Sequence, residues 1–114
     1  FDFRVARPIG VDHDIAFVVA GAPGEMALAA EVTAPDGRMR LEVITDQPSL
    51  QVYTAQHLGP HPAAASGLPH GRNAGFCLEA QGFVDAPNER HFPSVTLRPG
   101  AVYRHATTYR FVAL

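Results

Sequence analysis

From Arg38 to Thr45 the chain alternates, with Met39, Leu41 and Val43 apolar between Arg38, Arg40 and Glu42. A period of two predicts a β-strand with one wet face. Upstream, Met26 to Thr33 reads as its hairpin partner. The connection Ala34-Pro35-Asp36-Gly37 is turn chemistry, because Pro presets φ and Gly tolerates positive φ. Leu50 to Thr54 and Phe76 to Ala80 are further short apolar runs that predict strands. After the turn Arg98-Pro99-Gly100, a closing strand is predicted in which Tyr103, His105, Thr107, Tyr109 and Phe111 alternate with Arg104, Ala106, Thr108 and Arg110. Ten prolines and ten glycines leave few windows long enough for a helix, which argues for an all-β, antiparallel class.

Composition narrows the function classes. At 114 residues, 46% hydrophobic and 18% charged, the chain is ordinary for one globular domain, taken as residues 1–114. Nine Lys plus Arg against eleven Asp plus Glu, spread without runs, provide no footprint for nucleic acid or an anionic membrane. The longest apolar run, Ile15 to Ala20, stops at Gly21, far short of the roughly twenty residues of a membrane span. A single cysteine, Cys77, excludes an internal disulfide and reads as a small buried apolar residue. Nothing here asks for an oxidising compartment, so the expected location is the cytoplasm, with the periplasm as alternative. The opening Phe1-Asp2-Phe3-Arg4 reads as the interior of a longer sequence, and any targeting signal is expected upstream of it.

Two long loops interrupt the strands, Gln56 to Asn73 and Gln81 to Pro93; loops of this length in compact domains are usually functional, disordered or clipped. Six histidines invite a metal reading, which the spacing opposes. His57 and His61 would converge only on a helix, and Pro60 and Pro62 break one there. His105 reads as a hydrogen-bonded core residue. No cofactor is expected, since there is no phosphate-cradling Gly loop, dinucleotide fingerprint or G-x-S-x-G.

One block stands apart: Gly75-Phe76-Cys77-Leu78-Glu79-Ala80-Gln81, then Asp85-Ala86-Pro87-Asn88, Phe92-Pro93-Ser94 and Leu97-Arg98-Pro99-Gly100-Ala101-Val102-Tyr103-Arg104-His105. It places one carboxylate at the end of an apolar run, where desolvation by Phe76, Cys77 and Leu78 would raise its pKa toward working pH. The block resembles the C-terminal signature of the aldose 1-epimerases, G-F-C-L-E-T-Q-x-F-P-D-x-P-N followed by F-P-S and L-R-P-G-x-x-Y-x-H. Phe1-Asp2-Phe3-Arg4 matches that family's F-D-F-R. Val11-Asp12-His13-Asp14 resembles its G-Y-D-H-N, and Leu41 to Thr54 resembles L-x-V-x-T-x-x-P-x-x-Q-x-Y-T. The resemblance covers nearly the whole chain but only about the last third of a family member. It departs from the pattern at Gly10-Val11, where family members carry an intervening segment.

The resemblance implies an antiparallel β-sandwich of the galactose mutarotase type, here its C-terminal portion, and an isomerase acting on aldohexoses such as glucose and galactose. It implies Glu79 as the catalytic base, and Asp12 and Gln51 as contacts to sugar hydroxyls. A carboxylate is a strong acceptor for vicinal hydroxyls, and an amide donates and accepts at once. The general acid, a His in the family, lies in an upstream segment that these residues do not include. His13 is the local histidine to weigh as a substitute, but neighbouring strand residues point to opposite faces, which turns it away from Asp12. For each residue a plainer reading stands beside this one: a surface carboxylate at a strand edge for Glu79, a turn or capping Asp for Asp12, a solvent-facing strand Gln for Gln51. Gln81 and Phe83 lie just past the base, where they shape a pocket or simply pack.

Three readings therefore remain at this point: an epimerase segment, a non-catalytic carbohydrate-binding module, and an inactive fragment. The expected partners are a monosaccharide and the missing N-terminal part of the same protein. Strand edges that such a part would cover also template association, so the chain is expected to fold in a complex or as an oligomer.

Overall fold

The computed structural model describes residues 1–59, 67 and 70–114. Six strands form in it: β1 (Asp14–Val18), β2 (Ala27–Thr33), β3 (Met39–Thr45), β4 (Ser49–Tyr53), β5 (Cys77–Gln81) and β6 (Thr107–Ala113). They assemble into two three-stranded antiparallel sheets, in the orders β1-β4-β5 and β2-β3-β6. Among the described residues there is no helix, and so none long and apolar enough to cross a membrane. The all-β class read from the proline and glycine punctuation is the class observed.

The chain divides into two compact units, one of Phe1–Ile15 with Val52–Cys77, the other of Ala16–Gln51 with Leu78–Leu114. In the first, the Thr54 N–H donates to the His13 carbonyl at 3.0 Å, and the His13 N–H donates to Thr54 Oγ1 at 2.8 Å. That pair ties the stretch entering β1 to the end of β4. Val52 and Ala55 are its buried apolar residues. Ala55, with φ at 55°, turns the chain so that its carbonyl accepts from the N–H groups of both Leu58 and Asn73. The predicted loop from Gln56 to Asn73 starts and ends there, and its middle, including His61, lies outside the described residues.

In the second unit the predicted hairpin is present. Gly37, at φ 70°, donates to the Ala34 carbonyl at 2.9 Å, and Ala34 donates to Met39 at 2.8 Å. The ladder then runs from Thr33 opposite Arg40 to Ala27 opposite Thr45, with a register shift between Leu28 and Ala30 that accommodates one extra residue. β3 is central and pairs on its other side with β6. Val43 is fully buried, and Leu50 and Ala86 are nearly so.

Four expectations need correction. The closing strand starts at Thr107 rather than Tyr103, because β3 ends at Thr45, opposite Thr107. Continuing that register, Tyr103 would face Ser49, which already belongs to β4. His105 is accordingly exposed, bonded to Thr107 Oγ1 at 2.8 Å rather than set in a core. Cys77 is exposed, since it opens an outlying strand instead of crossing a core. And β3 has no simple wet face, for Glu42 is only 3% exposed.

Glu42 is buried beneath arginines. Arg110, opposite it on β6, donates to Oε2 from both Nε and Nη2, while Arg40 reaches Oε1 at 2.9 Å and Glu31 at 3.4 Å. The Arg110 hydrogen bonds hold the Glu42 carboxyl below the usual glutamate range, against the opposing effect of desolvation. A lowered folded-state pKa stabilises the protein above the unfolded-state value and ceases to do so as pH falls through the folded value. Glu42→Gln should therefore melt at lower temperature than the parent at neutral pH, with the gap closing below about pH 4. Thermal melts across pH check this, and a gap independent of pH would remove Glu42 from the acid response.

Candidate active site

Gln51 sits at the centre of β4 and Glu79 at the centre of β5, neighbouring strands of one sheet. Ser49 Oγ donates to the Gln81 carbonyl at 2.8 Å. Gln51 lies two residues past Ser49 and Glu79 two residues before Gln81. On antiparallel strands both steps run the same way along the sheet, so the amide and the carboxylate are carried on adjacent strands about level with one another. β5 is fixed further by Tyr109, whose hydroxyl donates to the Leu78 carbonyl at 2.9 Å. The carboxylate thus stands on a strand whose backbone is held from two sides.

Its surroundings differ from the expected ones. Glu79 is exposed, Leu78 half-buried, Cys77 exposed and Phe76 43% exposed. Leu78 points to the opposite face of β5 from Glu79, and Cys77, on the same face, is itself exposed, so the shielding ascribed to these residues is not supplied by them. The segment after β5 is ordered by its own contacts. A Cβ on Gly82 would come within 2.7 Å of Val95 Cγ1, so only glycine allows this close approach, and Phe83 stacks on Phe92 at 4.7 Å. Phe83 thereby takes the packing role. It also lines, with Val18, Val19, Pro23, Asp46 and Pro48, a small open pocket of about 140 Å³.

Asp12 belongs to the first unit. Its φ is 61°, a left-handed conformation that Asp tolerates better than most residues. Arg72 Nη2 donates to its Oδ1 at 2.7 Å. Sequence reasoning missed Arg72 altogether, since a lone arginine in a loop 60 positions away carries no pattern that couples it to an aspartate. His13 is turned toward Ile9. Its Nε2 is 2.7 Å from the Ile9 carbonyl, which can only accept, so the proton sits on Nε2 and is committed there. Phe1 and Phe3 make T-shaped contacts with the same ring. His57 stacks on Tyr53, and among the described residues no group of three His, Cys, Asp or Glu is placed to hold a metal ion.

The aldose 1-epimerase family profile matches residues 1–110. The chain belongs to the aldose 1-epimerase family. It is 40% identical over 102 residues to a galactose mutarotase of Bos taurus and 39% identical over 102 residues to one of Homo sapiens, in each case covering 90% of this chain and 29% of the relative. An aldose 1-epimerase of Escherichia coli is 32% identical over 127 residues, covering 99% of this chain and 36% of the relative. The chain thus spans about a third of the length of the curated relatives it matches. Membership agrees with the all-β architecture and covers both Asp12 and the Gln51–Glu79 strand pair.

Proposed function

We propose that this chain is the C-terminal segment of an aldose 1-epimerase, interconverting the α and β anomers of aldohexoses such as glucose and galactose. The observation that carries the reading is the match across residues 1–110 combined with a carboxylate, Glu79, on the strand next to Gln51. Glu79 takes the proton of the C1 hydroxyl while an acid protonates the ring oxygen. The bond from C1 to that oxygen breaks, leaving an aldehyde at C1. Rotation about the C1–C2 bond presents the other carbonyl face, and the same two proton transfers in reverse close the ring. No net proton or electron is consumed. Gln51, on the neighbouring strand, holds a hydroxyl that does not react, which keeps C1 in reach of Glu79 during the rotation, and Asp12 is proposed as a contact to sugar hydroxyls.

The acid is not among the candidate residues, and His13 is committed to Ile9. The reading therefore assigns it to a preceding segment of the same protein, which would also desolvate the exposed Glu79. Polarimetry tests this. The 114-residue chain alone should give negligible acceleration of glucose or galactose mutarotation, and a rate near that of a complete epimerase would show that the acid has been misassigned. A second reading, a sugar-binding module without catalysis, is favoured by the exposure of Glu79. It predicts binding without turnover even when the preceding segment is supplied.

A further inference from the structure

We propose that Arg72 is a positioning residue for Asp12, fixing one carboxylate oxygen so that the other is presented to a pair of vicinal sugar hydroxyls. The inference rests on the reading of Asp12 as a sugar contact and extends it to a residue in a different loop. The backbone at Asp12 is already constrained. Gly10 and Asp12 both have positive φ, at 77° and 61°, so the turn between Ile9 and His13 needs holding. The His13 Nε2–H bonded to the Ile9 carbonyl closes that turn, and a Cβ on Gly10 would stand only 3.2 Å from the same nitrogen. On the far side, His13 is tied by its backbone to Thr54.

What the backbone leaves open is the rotation of the Asp12 carboxylate. Arg72 removes it by donating Nη2–H to Oδ1 at 2.7 Å, while its Nη1 lies 3.4 Å from the Gln56 carbonyl. Among the described residues no other donor engages the carboxylate, and the Asp12 side chain is half exposed. The two side chains are 62% and 50% exposed, and an ion pair this open adds little to stability. Its consequence is geometric. The guanidinium, anchored on its other side by the Gln56 carbonyl, directs one N–H at one carboxylate oxygen, a direction that a lysine ammonium, a point charge on a flexible stem, holds far less well.

The test is titration of the ¹⁵N-labelled protein, with the preceding segment present, with D-galactose, following amide shifts around Asp12. Arg72→Met should raise the dissociation constant about tenfold and Arg72→Lys about threefold, the partial rescue reflecting charge without the second anchor at Gln56. Asp12→Asn should weaken binding to a similar degree, and adding Arg72→Met to it should cost nothing further, because the two act through one carboxylate. Dispersed, otherwise unchanged spectra show that each variant is folded. Should Arg72→Met fail that control, the lysine variant alone decides, an affinity equal to the parent's going against the inference. A parent that binds, weakened by Asp12→Asn but indifferent to Arg72→Met or weakened independently by it, overturns the role of Arg72 alone. A parent with no saturable shifts, or one indifferent to Asp12→Asn, overturns the reading of Asp12 and the inference with it.

Discussion

Glu79→Gln, introduced with the preceding segment present, is expected to lower the turnover of anomer interconversion by about 10²- to 10⁴-fold, roughly 3 to 5 kcal/mol in the barrier. The amide keeps the shape of the side chain and a hydrogen-bonding head but cannot take a proton. Sugar affinity should persist, because Gln51 and Asp12 are untouched and the β5 backbone is held by Ser49 and Tyr109 through groups that the substitution leaves in place. Steady-state kinetics separates the two effects, with the loss in kcat rather than KM. Turnover retained within a factor of about three is too small a change for a proton-transfer residue, and would pass the function to the binding-module reading.

Leu50→Ala should produce the largest loss of stability of any single change considered. Leu50 is 2% exposed and is the second residue of β4, beside Gln51. Removing its isobutyl group forfeits the burial of the lost carbons and leaves a cavity that rigid strands refill poorly, at a cost of about 2 to 5 kcal/mol. For a protein of this size that corresponds to a fall in Tm of about 10 °C or more. Differential scanning calorimetry measures it. A fall of less than about 3 °C would mean that β4 is not part of the cooperative core, and that the strand carrying Gln51 is not the rigid support assumed for the site.

Much of the architecture comes from local rules. The hairpin over β2 and β3 is written in the alternation of Met39, Leu41 and Val43 and in the chemistry of Pro35-Asp36-Gly37. Both are properties of a few neighbouring residues, which explains why turn and strands stand where the pattern puts them. β4 and β5 lie within about one residue of their expected ends for the same reason. β1 carries no such alternation. It lies in the apolar run that begins at Ile15, where periodicity cannot separate a strand from other buried segments.

The sequence by itself determined the class of the fold and the family, because these depend on residue type at fixed spacing within short blocks. Tertiary structure alone decided the rest. The start of β6 depends on where β3, over sixty residues earlier, runs out of partners. The burial of Glu42 depends on Arg110 arriving from another strand, and nothing near Glu42 announces that a carboxylate will be covered. Arg72 meets Asp12 because Thr54 bonds to His13 and Asn73 bonds to Ala55, which brings residues 60 positions apart together. In each case the outcome rests on contacts between residues far apart along the chain, whose identity leaves no local trace until the backbone has brought them together.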